Sequence, residues 1–118
     1  MLNSLKQLFQ SPYNKNHKLS AIVRFVIWKL IRVLKIRSYK LKIWNGRYFY
    51  IDYDSFHSMW LMYNYVVDWE EFNLIKDYLR PDDHVADVGT NIGYYTIWMS
   101  SFLGGKGKVH SFEPDNRN

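Results

Sequence analysis

The stretch Val85–Thr96, VADVGTNIGYYT, constrains the fold of this chain more than any other. The short apolar run "HVADV" reads as a strand. It passes through the tight turn "GTNIG" into "NIGYYTIWMSSFL", which reads as a helix. After the break "GGKGK" a second apolar run, "VHSF", forms another strand, followed by "EPDNRN". Strand, helix, strand with short loops is a βαβ unit, whose strands run parallel and whose crossover is right-handed. Such units bind ligands at the carboxyl ends of their strands.

Two features meet at those ends. Asp87 and Gly89 close the first strand and open the turn, and Glu113 closes the second, twenty positions after Gly93. Glycines let a backbone approach a ligand closely, and the start of the next helix offers free N–H groups. A carboxylate at the end of the second strand can accept two hydroxyl hydrogen bonds, which suits a ribose diol. The spacing therefore predicts a nucleoside cofactor. A dinucleotide fingerprint needs G-x-G-x-x-G, but from Gly89 those positions are Gly89, Asn91 and Tyr94. A phosphate loop needs G-x-x-x-x-G-K-[ST] before its helix. "GGKGK" comes after the helix with no Ser or Thr behind Lys106, and reads as a mobile αβ loop. Asp87 would repel a pyrophosphate. It favours a ligand with a positive amino or sulfonium group, and S-adenosylmethionine has both, plus a ribose.

These residues carry a family resemblance. "DVGTNIGYYT" resembles the first motif of class I S-adenosylmethionine-dependent methyltransferases, D-x-G-x-x-x-G, and "VHSFEPDNRN" resembles the second, an acid closing strand two. More narrowly, the turn asparagine, "NIGYYT" and "FEPD" resemble the FkbM family of methyltransferases. So does the upstream order: an "RF" plus Trp helix, a "WNG" hairpin, and an acidic helix ending in "LRPDD". The likeness spans residues 20–118. It implies that Asp87 faces the methionine amino group, directly or through water. Gly89 and Gly93 allow close approach, Asn91 holds the turn by its side chain, and Glu113 takes the ribose hydroxyls. Thr90 and Tyr94 line the pocket, and Glu71 braces it. The resemblance further implies an oxygen acceptor, a sugar or a secondary metabolite. In the full enzyme a nucleophile on the acceptor attacks the sulfonium methyl group in line, while the protein orients and desolvates.

Plainer roles stand beside these. Asp87 could cap the following helix, the two glycines could serve packing, and Glu113 could be a solvated strand end. Glu71 lies three residues after Asp68, as in a capping box. Tyr94, Tyr95 and Trp98 suit a core better than a base-stacking platform. His17, His57, His84 and His110 show no metal-ligand spacing and read as structural or surface residues. No cysteine is present, which excludes disulfides, thiolate metal sites and a cysteine nucleophile.

Upstream, residues 1–17 read as a frayed leader. "LSAIVRFVIWKLIRVLKIRSY" is a basic amphipathic helix. Ile22, Val23, Val26, Ile27, Leu30, Ile31, Val33 and Leu34 cover one half. Arg24, Lys29, Arg32 and Lys35 occupy the other, beside Phe25 and Trp28. The favoured expectation is that the apolar half packs on the core. The alternative is that it lies on an anionic membrane surface. The four charges rule out a spanning segment, and no signal peptide is evident. "KLKIWNGRYFYID" reads as a hairpin around Asn45-Gly46, and "SMWLMYNYVV" as a helix. "DWEEFNLIKDYLRPDD" is a helix with a Phe72, Ile75, Leu79 stripe, stopped by Pro81.

Charge divides the chain. Residues 1–51 hold eleven Lys or Arg and no acid, whereas 52–118 hold five basic and eleven acidic residues, so the parts are +11 and −6. A basic first part suggests an anionic neighbour, or a face balanced by acids elsewhere in a larger molecule. Residues 18–47 are the candidate for peripheral membrane contact of an otherwise cytoplasmic protein. Nucleic acid is disfavoured.

The expected architecture is α/β: the start of a doubly wound Rossmann-like methyltransferase sheet, one βαβ unit, preceded by an N-terminal helix and a β-hairpin. The expected division is a leader over 1–17, the basic helix and hairpin over 18–66, and the first part of the cofactor domain over 67–118. Two parallel strands bury too little to be stable alone. The chain is therefore expected to be the N-terminal part of a methyltransferase, with half a cofactor site and no turnover by itself. Two other classes compete: a nicotinamide-dependent oxidoreductase, and a non-enzymatic basic protein that binds membrane or nucleic acid.

Overall fold

The computed structural model describes residues 8–115, and these fall into two compact units. The first seven residues of the expected leader lie outside the described residues.

One unit holds Tyr48–Trp69 together with the described chain up to Ile43. It begins with a short helix α1 (Pro12–Asn16), with proline in its first turn, where a missing N–H costs nothing. From Leu8 onward the expected fraying is replaced by burial: Leu8 and Asn14 are wholly inaccessible. The Asn14 amide donates to Leu8 O and Tyr63 O, both at 2.7 Å. Helix α2 (Lys18–Val33) follows, and packs against α3 (Phe56–Asn64), whose N-terminus is capped by Ser55 accepting from Ser58 N–H at 3.2 Å.

The buried face of α2 differs from the expected one. Ala21, Arg24, Phe25, Trp28 and Ile31 are buried, while Leu19, Ile22, Val23, Val26, Leu30 and Val33 are exposed. Aromatic rings bury the most area per residue, so Phe25 and Trp28 set the inward face, and Ala21 lets the chain come close. Arg24 lies on that face and is accommodated by acceptors. Its guanidinium donates to Asn14 Oδ1 at 2.5 Å, Ser20 Oγ at 2.7 Å and Met62 O at 3.3 Å. It also stands over the Tyr65 ring at 4.8 Å. Burial lowers the Arg24 pKa, against the opposing influence of Tyr13 and Tyr65. Burial, then Tyr13, raises that of Tyr65, while Arg24 pulls it down.

Strands β1 (Tyr39–Lys42) and β2 (Tyr48–Ile51) pair antiparallel, Tyr39 opposite Ile51 and Lys42 opposite Tyr48. Leu41, Phe49 and Ile51 point into the core. The connection is longer than a two-residue hairpin, with a 3₁₀ turn at Trp44–Gly46. Asn45 and Gly46 still take positive φ, 45° and 78°, the backbone for which an Asn-Gly pair is suited.

The second unit holds this hairpin tip, Trp44–Arg47, and the described chain from Glu70 on. Helix α4 (Trp69–Tyr78) buries Phe72, with Ile75 and Leu79 half-buried. Strand β3 (His84–Val88), helix α5 (Tyr94–Ser100) and strand β4 (Lys108–Phe112) form the expected βαβ unit. The strands are parallel, pairing His84 with Lys108, Asp87 with Ser111 and Val88 with Phe112. Helix α5 starts three residues after the sequence suggests, because Asn91 and Gly93 take left-handed φ of 49° and 79°.

An aromatic cluster holds this unit together. Trp98 stacks on Phe72 at 4.2 Å and meets Trp44 at 4.6 Å, and Tyr94 lies 5.0 Å from Phe72. The tyrosines and tryptophan of α5 are thus core residues. The hairpin tip also caps α5: Asn45 Nδ2 donates to Ser101 O at 2.7 Å and Arg47 to Ser100 O at 3.0 Å. Those carbonyls have no partner within their own helix. The "GGKGK" segment is tied down, in contrast to the mobile loop expected. Gly104 N–H donates to Pro81 O at 2.7 Å and Lys108 N–H to Asp83 O at 3.0 Å.

Candidate functional site

The glycine turn after β3 is fastened to the end of β4. Gly89 and Thr90 both donate their N–H groups to Phe112 O, at 2.8 and 3.2 Å, and Gly93 N–H donates to Thr90 O at 2.8 Å. Beside this backbone link lies Glu113. One carboxylate oxygen, Oε2, accepts the Asn91 N–H at 2.6 Å, and the other, Oε1, accepts the Asp115 N–H at 2.8 Å. Glu113 is therefore neither an isolated strand end nor free to swing. It is clamped at the turn, and an ionised carboxylate has about four lone-pair sites, so two hydroxyls can still be accommodated.

Asn91 serves the turn differently from the expected side-chain hold. It contributes its main-chain N–H and its left-handed φ of 49°, a conformation asparagine tolerates better than most residues. Gly89 and Gly93 take φ of 78° and 79°, and a Cβ built on either would meet nothing within 4 Å. Packing does not select these glycines, then. Backbone conformation does, and the space above them is open on the protein side, which leaves room for a ligand.

Asp87 sits half-buried at the end of β3. It does not cap α5, whose N-cap is Gly93. Its Oδ2 accepts the Thr96 hydroxyl at 2.6 Å, and Thr96 Oγ1 lies 2.8 Å from Ser111 Oγ. Thr96 and Ser111 are the residues the motif reading missed. Asp87 and Ser111 are register partners on parallel strands, so their side chains share a face of the sheet. That pairing is the sequence signal for Ser111. Thr96, two residues into α5, closes the bridge and fixes the carboxylate rotamer. Asp87 Oδ1 has no protein partner among the described residues, so it remains available to a cationic group.

The structure thus brings Asp87, Gly89, Thr90, Asn91, Gly93 and Glu113 to one edge, the carboxyl ends of two parallel strands. Tyr94 is drawn into the aromatic core, and Glu71 is exposed in the first turn of α4. Two acids meet at this edge, Asp87 bonded to Thr96 and Glu113 clamped on the glycine turn, an arrangement that could receive a ligand carrying a cation and a diol.

Comparison with known proteins places the chain in a family. The family model for protein-L-isoaspartate(D-aspartate) O-methyltransferase matches residues 5–117. It carries the broader part of the resemblance, a methyltransferase that uses S-adenosylmethionine, and does not extend to the FkbM family. No curated protein and no solved structure matches. With the match spanning nearly the whole sequence, the chain belongs to the protein-L-isoaspartate(D-aspartate) O-methyltransferase family, whose methyl donor is S-adenosylmethionine.

Proposed function

We propose that residues 84–115 supply the amino-acid and ribose half of an S-adenosylmethionine site for transfer of a methyl group to oxygen. The observation that carries this reading is the clamped Glu113. Its hydrogen bond from Asn91 N–H at 2.6 Å sets a carboxylate beside the glycine turn, at the place where a ribose diol would meet it. Asp87, steadied by Thr96, holds the ligand's ammonium group. Gly89 and Gly93 give the backbone shape, and Thr90 and Asn91 complete the wall. When bound, the cofactor supplies an electrophilic methyl group. This chain's residues bind it, orient it and exclude water.

The sheet belongs to a doubly wound Rossmann-like domain on this reading. Val88 and Phe112, at 80 % and 56 % exposure, lie on a parallel sheet, a type that is usually covered on both faces. The remaining strands of such a sheet would bring the adenine contacts and the acceptor pocket. The acceptor is a carboxylate oxygen, the isoaspartyl group of the family's name. The sugar or secondary-metabolite hydroxyl of the narrower resemblance draws no support from the family match.

Binding measurements on two variants separate the two acids. Asp87→Asn should weaken S-adenosylmethionine about tenfold or more, the scale of a charged hydrogen bond. It should leave 5′-methylthioadenosine, which lacks the amino acid, unchanged. Glu113→Gln should weaken both. Equal loss of both ligands in Asp87→Asn, or no loss in Glu113→Gln, would overturn the assignment.

A further inference from the structure

The exposed aliphatic face of α2 is unexplained by methyl transfer. At about 100° per residue, Ile22, Val33, Val26, Leu19, Leu30 and Val23 fall in one uninterrupted arc of roughly 100°. All are exposed, Leu19 and Val33 to 77 % and 78 %. Lys18 and Lys29 border one side of the arc, with Arg32 beyond them, and all three are exposed. A contiguous exposed aliphatic patch of this kind, rimmed by cations, marks an interaction site.

Charge decides the occupant. Leu19, Val23, Val26, Leu30 and Val33 also follow the 4-3-4-3 spacing of a coiled-coil seam. A second copy would bring its own eleven cations and no acid within residues 1–51 to face the first, and a seam of 16 residues is short to offset that repulsion. An anionic lipid surface reverses the sign: headgroups meet the lysines and arginine while the aliphatic arc enters the acyl boundary. No described helix is long and apolar enough to cross a membrane, so the helix would lie in the plane of the surface. We infer that α2 docks this protein on an anionic membrane surface through Leu19, Val23, Val26, Leu30 and Val33, with Lys18, Lys29 and Arg32 on the headgroups. This inference is independent of the cofactor reading.

The test is co-sedimentation of the full chain with vesicles. Vesicles of phosphatidylcholine with phosphatidylglycerol should bind it, and vesicles of phosphatidylcholine alone should bind it at least about tenfold less tightly. Binding should weaken as salt rises. Val26→Asn with Leu30→Asn should abolish binding with an unchanged circular dichroism spectrum, since both side chains are exposed. Lys18→Gln, Lys29→Gln and Arg32→Gln together should cost about tenfold or more. Equal binding to neutral vesicles would overturn the inference, as would binding retained by the double variant. So would a dimer in sedimentation analysis that the double variant dissociates while wild type ignores vesicles. DNA binding at the same salt, with no vesicle binding, would reassign the charge to nucleic acid and equally overturn it.

Discussion

Gly107 is glycine for a reason opposite to that of Gly89. Gly89 needs its positive φ, whereas a Cβ on Gly107 would run into the Pro81 carbonyl oxygen, with Leu103 Cβ at 2.9 Å and Asp83 O at 3.1 Å. Two of those three atoms are backbone and cannot step aside cheaply. Gly107→Ala is expected to cost about 1–3 kcal/mol in urea unfolding. Gly105→Ala, where a Cβ meets nothing within 4 Å, should stay within about 0.5 kcal/mol. Equal effects would contradict the packing described. Tyr65 makes a second prediction. Its pKa lies above the ordinary 10.0, chiefly through burial. Stability tied to its protonated form is therefore fully present below pH 10 and lost as pH rises through the folded value. Tyr65→Phe should fall less steeply than wild type above pH 10, read as the difference in urea midpoint between the two proteins. None of this was legible in the sequence. "GGKGK" reads as flexible because glycine is permissive, and only the distant Pro81 turn shows that one of its glycines is packed.

Elements made of local signals were legible. The strand "HVADV", the turn glycines and the helix over "DWEEFNLIKDYLRPDD" follow from periodicity and punctuation, and the structure places them at Val88, Gly89 and Trp69–Tyr78 within a residue or two. The inward face of α2 was not. Counting aliphatic residues selects one half of that helix, but Phe25 and Trp28 lie on the other and dominate the area that can be buried. Arg24 then becomes a core residue, held by Asn14, Ser20 and the Met62 carbonyl. Arg24→Met keeps the stem and removes the donors, leaving Asn14 Oδ1 and Met62 O short of partners. A loss of about 2–4 kcal/mol in chemical denaturation is expected. A variant as stable as wild type would show that these contacts contribute little. The capping of α5 by Asn45 and Arg47 was equally hidden, because it joins residues 53 and 56 positions apart.

For the whole molecule, the edge that gathers Asp87, the turn glycines and Glu113 was readable because its residues sit at fixed offsets within 27 positions, from Asp87 to Glu113. Register places Asp87 beside Ser111, and the turn places Asn91 against Glu113. The supporting Thr96 was missed because its role depends on where a helix begins. On the proposed function this edge selects S-adenosylmethionine over a dinucleotide, since two of the three fingerprint glycines are replaced by Asn91 and Tyr94. The decisive measurement is calorimetric titration of the 118-residue chain with S-adenosylmethionine and, separately, with NAD. Heat of one-to-one binding is expected with S-adenosylmethionine and none with NAD. Binding of NAD as tight as that of S-adenosylmethionine, or no binding of S-adenosylmethionine by the folded chain, would contradict it.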